Sequence, residues 1–164
     1  NQLCLQHQVD STHGIDHAKR VLQHVNQAID ASARKLTTNR VLALQLAALL
    51  HDADDRKYFK PNGDFLYPNA LAIAETTGVN QEIISDMIEM ISWVSCSKNG
   101  NKIPEKAKTE PELLWPRYAD RLEATGEIGI ARCYLYAKKK NDPMFTEKTP
   151  RPSSNQEVLN YATT

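Results

Sequence analysis

An all-α fold is predicted by two features of this 164-residue chain. Apolar residues recur at three- and four-residue spacing through most of its length, and no stretch of strand length alternates strictly between apolar and polar. A third feature, the run Val41-Leu42-Ala43-Leu44-Gln45-Leu46-Ala47-Ala48-Leu49-Leu50, is apolar on nearly every face and belongs inside a core.

The elements follow in order. From Asp16, the residues Ala18, Val21, Leu22, Val25 and Ile29 trace one face of a first long helix, expected to end near Lys35-Leu36. Thr37 or Thr38 can cap the second helix, which carries the chain from Asn39 into His51. Lys60-Pro61-Asn62-Gly63-Asp64 is a turn signal, so the stretch after His51 reads as a loop. A short helix from about Asn69 ends at Gly78, and Asn80 can cap a further helix with Ile83, Ile84, Met87, Ile88, Ile91 and Val94 as its buried stripe. The polar, basic segment Ser97 to Lys106, marked by Gly100 and Pro104, reads as a mobile surface loop. Lys98, Lys102 and Lys106 in it are candidates for a basic lid. A last helix is expected from about Pro111 to Lys140. Residues 1–140 thus form one domain, followed by a tail over 141–164.

Twenty Lys and Arg balance twenty Asp and Glu, so no global field draws the chain to nucleic acid or to an anionic membrane. Three widely spaced cysteines without a Cys-x-x-Cys argue against a disulfide framework and a zinc ribbon, and suit a reducing cytoplasm. The longest apolar run is far below the ~20 residues that span a bilayer. No basic-then-apolar signal pattern opens the sequence. A cytoplasmic protein is expected, with homodimerisation left open.

His51-Asp52 ends the most apolar helix of the chain. An imidazole and a carboxylate placed there cost several kcal/mol of desolvation unless something satisfies them, about the range known for buried polar groups. A divalent cation would do so. His17 and Asp120 supply the remaining nitrogen and oxygen donors from two other helices.

Three segments in this order, His13-Gly14-Ile15-Asp16-His17-Ala18-Lys19-Arg20-Val21, Leu50-His51-Asp52-Ala53-Asp54-Asp55-Arg56-Lys57-Tyr58-Phe59 and Ala119-Asp120-Arg121-Leu122-Glu123-Ala124-Thr125-Gly126-Glu127-Ile128-Gly129-Ile130-Ala131-Arg132, resemble the signatures of the HD-domain metal-dependent phosphohydrolases, in the branch of small single-domain proteins. The resemblance runs from about His13 to Ala137. It implies a helical bundle of about five to seven helices and a divalent metal on His17, His51, Asp52 and Asp120. It also implies hydrolysis of phosphate esters or anhydrides, often in nucleotides. Two-metal relatives carry extra histidines between the positions of Asp52 and Asp120, where this chain has none, so one ion is expected: manganese or magnesium first, with cobalt, nickel, iron or zinc as alternatives. Members of that branch also continue into a further helix, so the tail is expected to stop short of it.

Two imidazoles and two carboxylates leave positions open on an ion, where a water becomes more acidic and a phosphoryl oxygen is polarised. Asp55, three residues past Asp52, is the candidate proton acceptor. Arg20, three residues after His17 and on nearly the same helix face, and Lys57, from the loop, are candidate phosphate contacts. His13 is four residues before His17, but Gly14 between them places the helix start after His13, which makes it a substrate-facing or supporting group rather than a ligand. Asp54 and Asp55 also read as solvated charges at a helix end. Gly126 and Gly129 are expected to serve close packing, not phosphate binding.

The expected function is therefore a metal-dependent phosphohydrolase acting on a small phosphorylated substrate, a nucleotide, at a phosphomonoester or pyrophosphate bond. The competing expectations are a non-catalytic sensor of nucleotide or metal on the same fold, and a metal-dependent oxygenase, which the missing histidines disfavour.

Overall fold

The computed structural model describes residues 2–6, 9, 14–56, 58, 59, 66–141, 143 and 154. All regular structure among them is helical: α1 (Gln2–Gln6), α2 (Ile15–Ala31), α3 (Thr38–Leu50), α4 (Pro68–Thr76), α5 (Gln81–Val94), α6 (Cys96–Asn99), α7 (Glu105–Thr109), a 3₁₀ turn (Pro111–Leu114), α8 (Trp115–Leu122) and α9 (Gly126–Lys140). The all-α class is as the periodicity predicts. Six of these helices have eight residues or more; α1, α6 and α7 are single turns that no apolar stripe announces.

The chain divides into two compact units, Asn1–Glu123 and Ala124–Thr164. In the first, α3 is the central element and packs against α2, α5 and α8. Its sequence explains this place. Ala43, Ala47 and Ala48 are fully buried and let neighbouring backbones approach closely, while Leu44 fills the gaps between them. Gln45, the polar interruption, donates from Nε2 to Asn26 Oδ1 of α2 at 2.9 Å, so its amide has a partner. Val21 and Val25 from α2, Ile83, Ile84, Met87, Met90 and Ile91 from α5, and Leu113 and Ala119 complete the core around it.

Both predicted caps form. The Thr37 hydroxyl accepts from the Arg40 N–H, and Asn80 Oδ1 accepts from the Ile83 N–H at 3.0 Å. The buried stripe of α5 differs in one position, since Met90 is fully buried and Ile88 only partly so. α2 ends at Ala31, four residues before the expected end, because Ser32 is extended (ψ 131°). Gly78 closes the α4 region with φ +72°, a conformation that glycine adopts without penalty.

Two expectations fail here. The segment over 97–106 is not a free loop: it contains α6 and α7 and is pinned from α8. Arg117, 2% exposed, donates through its two Nη groups to the carbonyls of Lys102 and Gly100, and Arg121 donates to Asn101 Oδ1 and Gly100 O. Lys106 is paired with Glu89 at 2.6 Å and lies 3.8 Å from Asp86, which takes it out of any lid. The single helix expected over 111–140 is instead a 3₁₀ turn and two helices. Pro116, in the first turn of α8, starts a new helix after the 3₁₀ turn.

In the second unit, α9 opens at Gly126 with φ +61°. A Cβ there meets nothing within 4 Å, so Gly126 serves backbone conformation and not the expected packing. Gly129 does serve packing: an added Cβ would lie 2.4 Å from the carbonyl of Ala124. The tail beyond 141 falls almost wholly outside the described residues.

Candidate metal centre

Three elements deliver the polar cluster. His17 sits in the first turn of α2, completely buried with Ala18, Val21 and Val25 on the core face. His51 is the residue that closes α3, and Asp52 follows it in a tight turn in which the Ala53 N–H bonds the Leu50 carbonyl. Asp120 comes from α8, which packs against both α2 and α3.

The imidazoles meet edge to face with ring centroids 5.2 Å apart, and their Nε2 atoms are 3.3 Å apart. Asp120 Oδ1 is 3.2 Å from His17 Nε2 and 3.6 Å from His51 Nε2. Asp52 Oδ2 is 3.8 Å and 3.4 Å from the same two atoms. His17, His51 and Asp52 each place a donor atom within 4.8 Å of the others, which is the arrangement of a possible metal-binding group. The two imidazoles are buried and the two carboxylates about a quarter exposed, so the cluster opens on its acidic side.

The orientation of His51 is fixed by its helix. Nδ1 lies 2.8 Å from the Ala48 carbonyl, which can only accept, so Nδ1 carries the proton. In the neutral ring, Nε2 then points a lone pair into the cluster. Burial opposes a charge on His51, but Asp52 and Asp120 outweigh it and hold its pKa well above the ordinary 6.5. Asp120 is shifted the other way: burial favours its neutral form, and the hydrogen bonds and charges of His17 and His51 overcome this to hold it far below the usual carboxylate range.

The residues fit a divalent cation. Donors bound about 2.0–2.2 Å from one ion lie about 2.9–3.6 Å from each other, for octahedral and tetrahedral geometry respectively. Four of the five separations above fall in that window. The compact set, with donor atoms all within 4.8 Å of one another, is His17, His51 and Asp52; Asp120 approaches the two imidazoles but lies outside that set and would be the further donor, and nitrogen and oxygen donors of this kind suit a borderline or hard divalent ion.

The other expected site residues are placed differently. Asp55 lies in the turn after Asp52, its N–H 3.1 Å from the Asp52 carbonyl, and is half-buried. Its neighbour Asp54 is a remote helix cap and not a solvated charge: its two oxygens accept from the N–H groups of Asn69 (3.0 Å) and Ala70 (2.9 Å) in the first turn of α4. Arg20 is on the His17 side of α2, and its Nε donates to Glu123. His13 and Lys57 lie outside the described residues.

Glu123 belongs to the third of the matched segments, where nothing in the sequence assigns it a role. It is 3% exposed at the end of α8, accepts from Arg20 Nε and His24 Nε2, and stands 3.8 Å from His17 Nδ1. Burial raises its pKa, but the bonds from Arg20 and His24 more than compensate and keep it below the ordinary range. The available signal was the basic series His17, Arg20, His24 at spacing i, i+3, i+7, which puts three potential cations on one helix face and calls for a buried anion.

No protein-family model matches the chain. It is 37% identical over 162 residues to an uncharacterized protein of Acanthamoeba polyphaga mimivirus, a match over 92% of this chain and 63% of that protein, so the chain spans less than two thirds of its relative. The fold recurs in a crystal structure of a Lactobacillus plantarum protein, with a TM-score of 0.64 and 24% identity over 98% of this chain and 69% of the other. Among the described residues no helix is long and apolar enough to cross a membrane.

Proposed function

We propose that the chain is a cytoplasmic HD-type metal-dependent phosphohydrolase acting on a small phosphorylated molecule, a nucleotide, at a phosphomonoester or pyrophosphate bond. The observation that carries this reading is the convergence of two imidazole Nε2 atoms and two carboxylates, from three helices, at the end of a buried helix. His17, His51, Asp52 and Asp120 would hold one divalent ion, manganese or magnesium in first place. When bound, the ion acidifies a water and polarises a phosphoryl oxygen.

The chain's own residues supply the rest. The partly exposed edge of the cluster, made by Asp52 and Asp120, is where a substrate can approach. Asp55 accepts the proton of the attacking water; its position one turn past Asp52 and its half-burial support that role. Arg20 binds phosphate with the part of its guanidinium that Glu123 does not engage, since a guanidinium has five donors and this pair holds it by Nε. His13 and Lys57 are the further substrate contacts of this reading.

Phosphate release from a panel of nucleoside mono-, di- and triphosphates, with manganese, magnesium, cobalt or nickel, tests the reading. Asp55→Asn should keep the metal and the fold while lowering turnover ~10²–10⁴-fold, the usual range for a general base. Silence across the whole panel in a metal-loaded protein would reject hydrolysis and leave the sensor; equal turnover in the two proteins would reject the role of Asp55.

A further inference from the structure

We infer that Glu123 is a positioning residue of the metal centre, facing the His17 imidazole from the edge opposite the ion, with Arg20 as its counter-charge and His24 as a second hydrogen-bond donor. This rests on the metal-centre reading above and adds to it a group that none of the four donors requires.

The geometry points to this from both sides of one ring. His17 Nε2 faces the cluster, 3.3 Å from His51 Nε2 and 3.2 Å from Asp120 Oδ1. Nδ1 is on the other edge of the same imidazole, and Glu123 Oε2 is 3.8 Å from it, within ion-pair reach and longer than a hydrogen bond. Asp120 and Glu123 are three residues apart at the end of α8, so one turn of backbone addresses both nitrogens of a single histidine. A histidine that ligates through Nε2 must carry its proton on Nδ1, and a carboxylate facing that N–H fixes the tautomer, restrains the ring and makes Nε2 more basic.

Glu123 is built to stay charged and still. Oε2 accepts from Arg20 Nε and Oε1 accepts from His24 Nε2 at 3.0 Å, so both oxygens are engaged by residues one and two turns further along α2. A carboxylate with 3% exposure is costly without such partners. The charges also balance in layers. Two neutral imidazoles and two carboxylates match a divalent ion, and Glu123 with Arg20 forms a neutral pair behind them. A counter-ion for Arg20 alone would need neither burial nor an approach to His17.

Titration with cobalt(II), followed by its visible absorption bands, distinguishes positioning from packing. Glu123→Gln keeps the shape and removes the charge; it should weaken cobalt(II) binding about 10–100-fold, the range for lost outer partners of a ligating histidine, and shift the bands. Glu123→Asp, which keeps the charge and withdraws it by one methylene, should lose less. The control is Glu112, equally buried and paired with Arg34 Nη1 at 3.2 Å. Glu112→Gln should lower the melting temperature and leave cobalt(II) affinity unchanged. A wild-type protein that binds no cobalt(II) overturns the metal centre itself. A wild type that binds, with Glu123→Gln binding equally well and with unshifted bands, overturns the role of Glu123 alone. Should Glu123→Gln not fold, Glu123→Asp compared with Glu112→Asp decides in the same way.

Discussion

His51 shows how one side chain links local structure to chemistry. Its Nδ1–H donates to the Ala48 carbonyl of its own helix, so Nε2 faces His17 and the two carboxylates. The raised pKa of His51 has a definite consequence for pH. In metal-free protein the protonated ring is favoured in the folded state over the unfolded one, so its contribution to stability is complete below pH 6.5, the ordinary value, and is lost as pH rises through the folded value. Asp120, with its depressed pKa, works in the opposite sense, and its contribution disappears only in strong acid. A divalent ion bound at Nε2 would displace the proton from that nitrogen and leave the one on Nδ1. The rise in melting temperature on adding manganese should therefore be small near pH 6 and grow towards pH 8. Melting curves across that range check this, and a manganese effect independent of pH would contradict it. The candidate donors were legible as residues because His51-Asp52 follows so apolar a helix. Asp54 and Glu123 were not, since their partners Asn69, Ala70, Arg20, His24 and His17 lie 15 or more positions away and become neighbours only after folding.

At the level of elements, the helices with a clear apolar stripe and a side-chain cap were the ones that could be read. α3 and α5 begin within a residue of the positions that Thr37 and Asn80 mark. The end of α2 is not legible because Ser32 to Leu36 contain neither glycine nor proline and no strong stop signal. The segment over 97–106 misled for a different reason. Its glycine, proline and lysines have the composition of a free loop, while its order comes from arginines of α8 about 15 to 21 positions away. Arg117→Met should therefore destabilise the protein by about 1–3 kcal/mol, because the part-buried Lys102 carbonyl loses its charged donor while the Gly100 carbonyl keeps only that of Arg121. Metal binding should persist, since Arg117 touches none of the four donors. Urea unfolding measures the loss, and a change below about 0.5 kcal/mol, typical of surface substitutions, would show that the segment holds its form without Arg117.

Across the molecule, the centre exists because α3 packs against both α2 and α8, which brings positions 17, 51, 52 and 120 together from far apart in the chain. Fold class, and the residues that meet at the end of α3, could be inferred from patterns in the sequence; the division of the chain after Glu123, and the second contact of α8 with His17, could not, because no periodicity encodes which helix ends meet. The central claim is that this meeting point is a mononuclear metal centre. It is tested most directly by elemental analysis of the purified chain after exposure to manganese and dialysis, beside His51→Ala treated in the same way. One ion per chain in the wild type and none in the variant is the predicted result; a wild type without bound metal, or a variant that retains as much as the wild type, would contradict it.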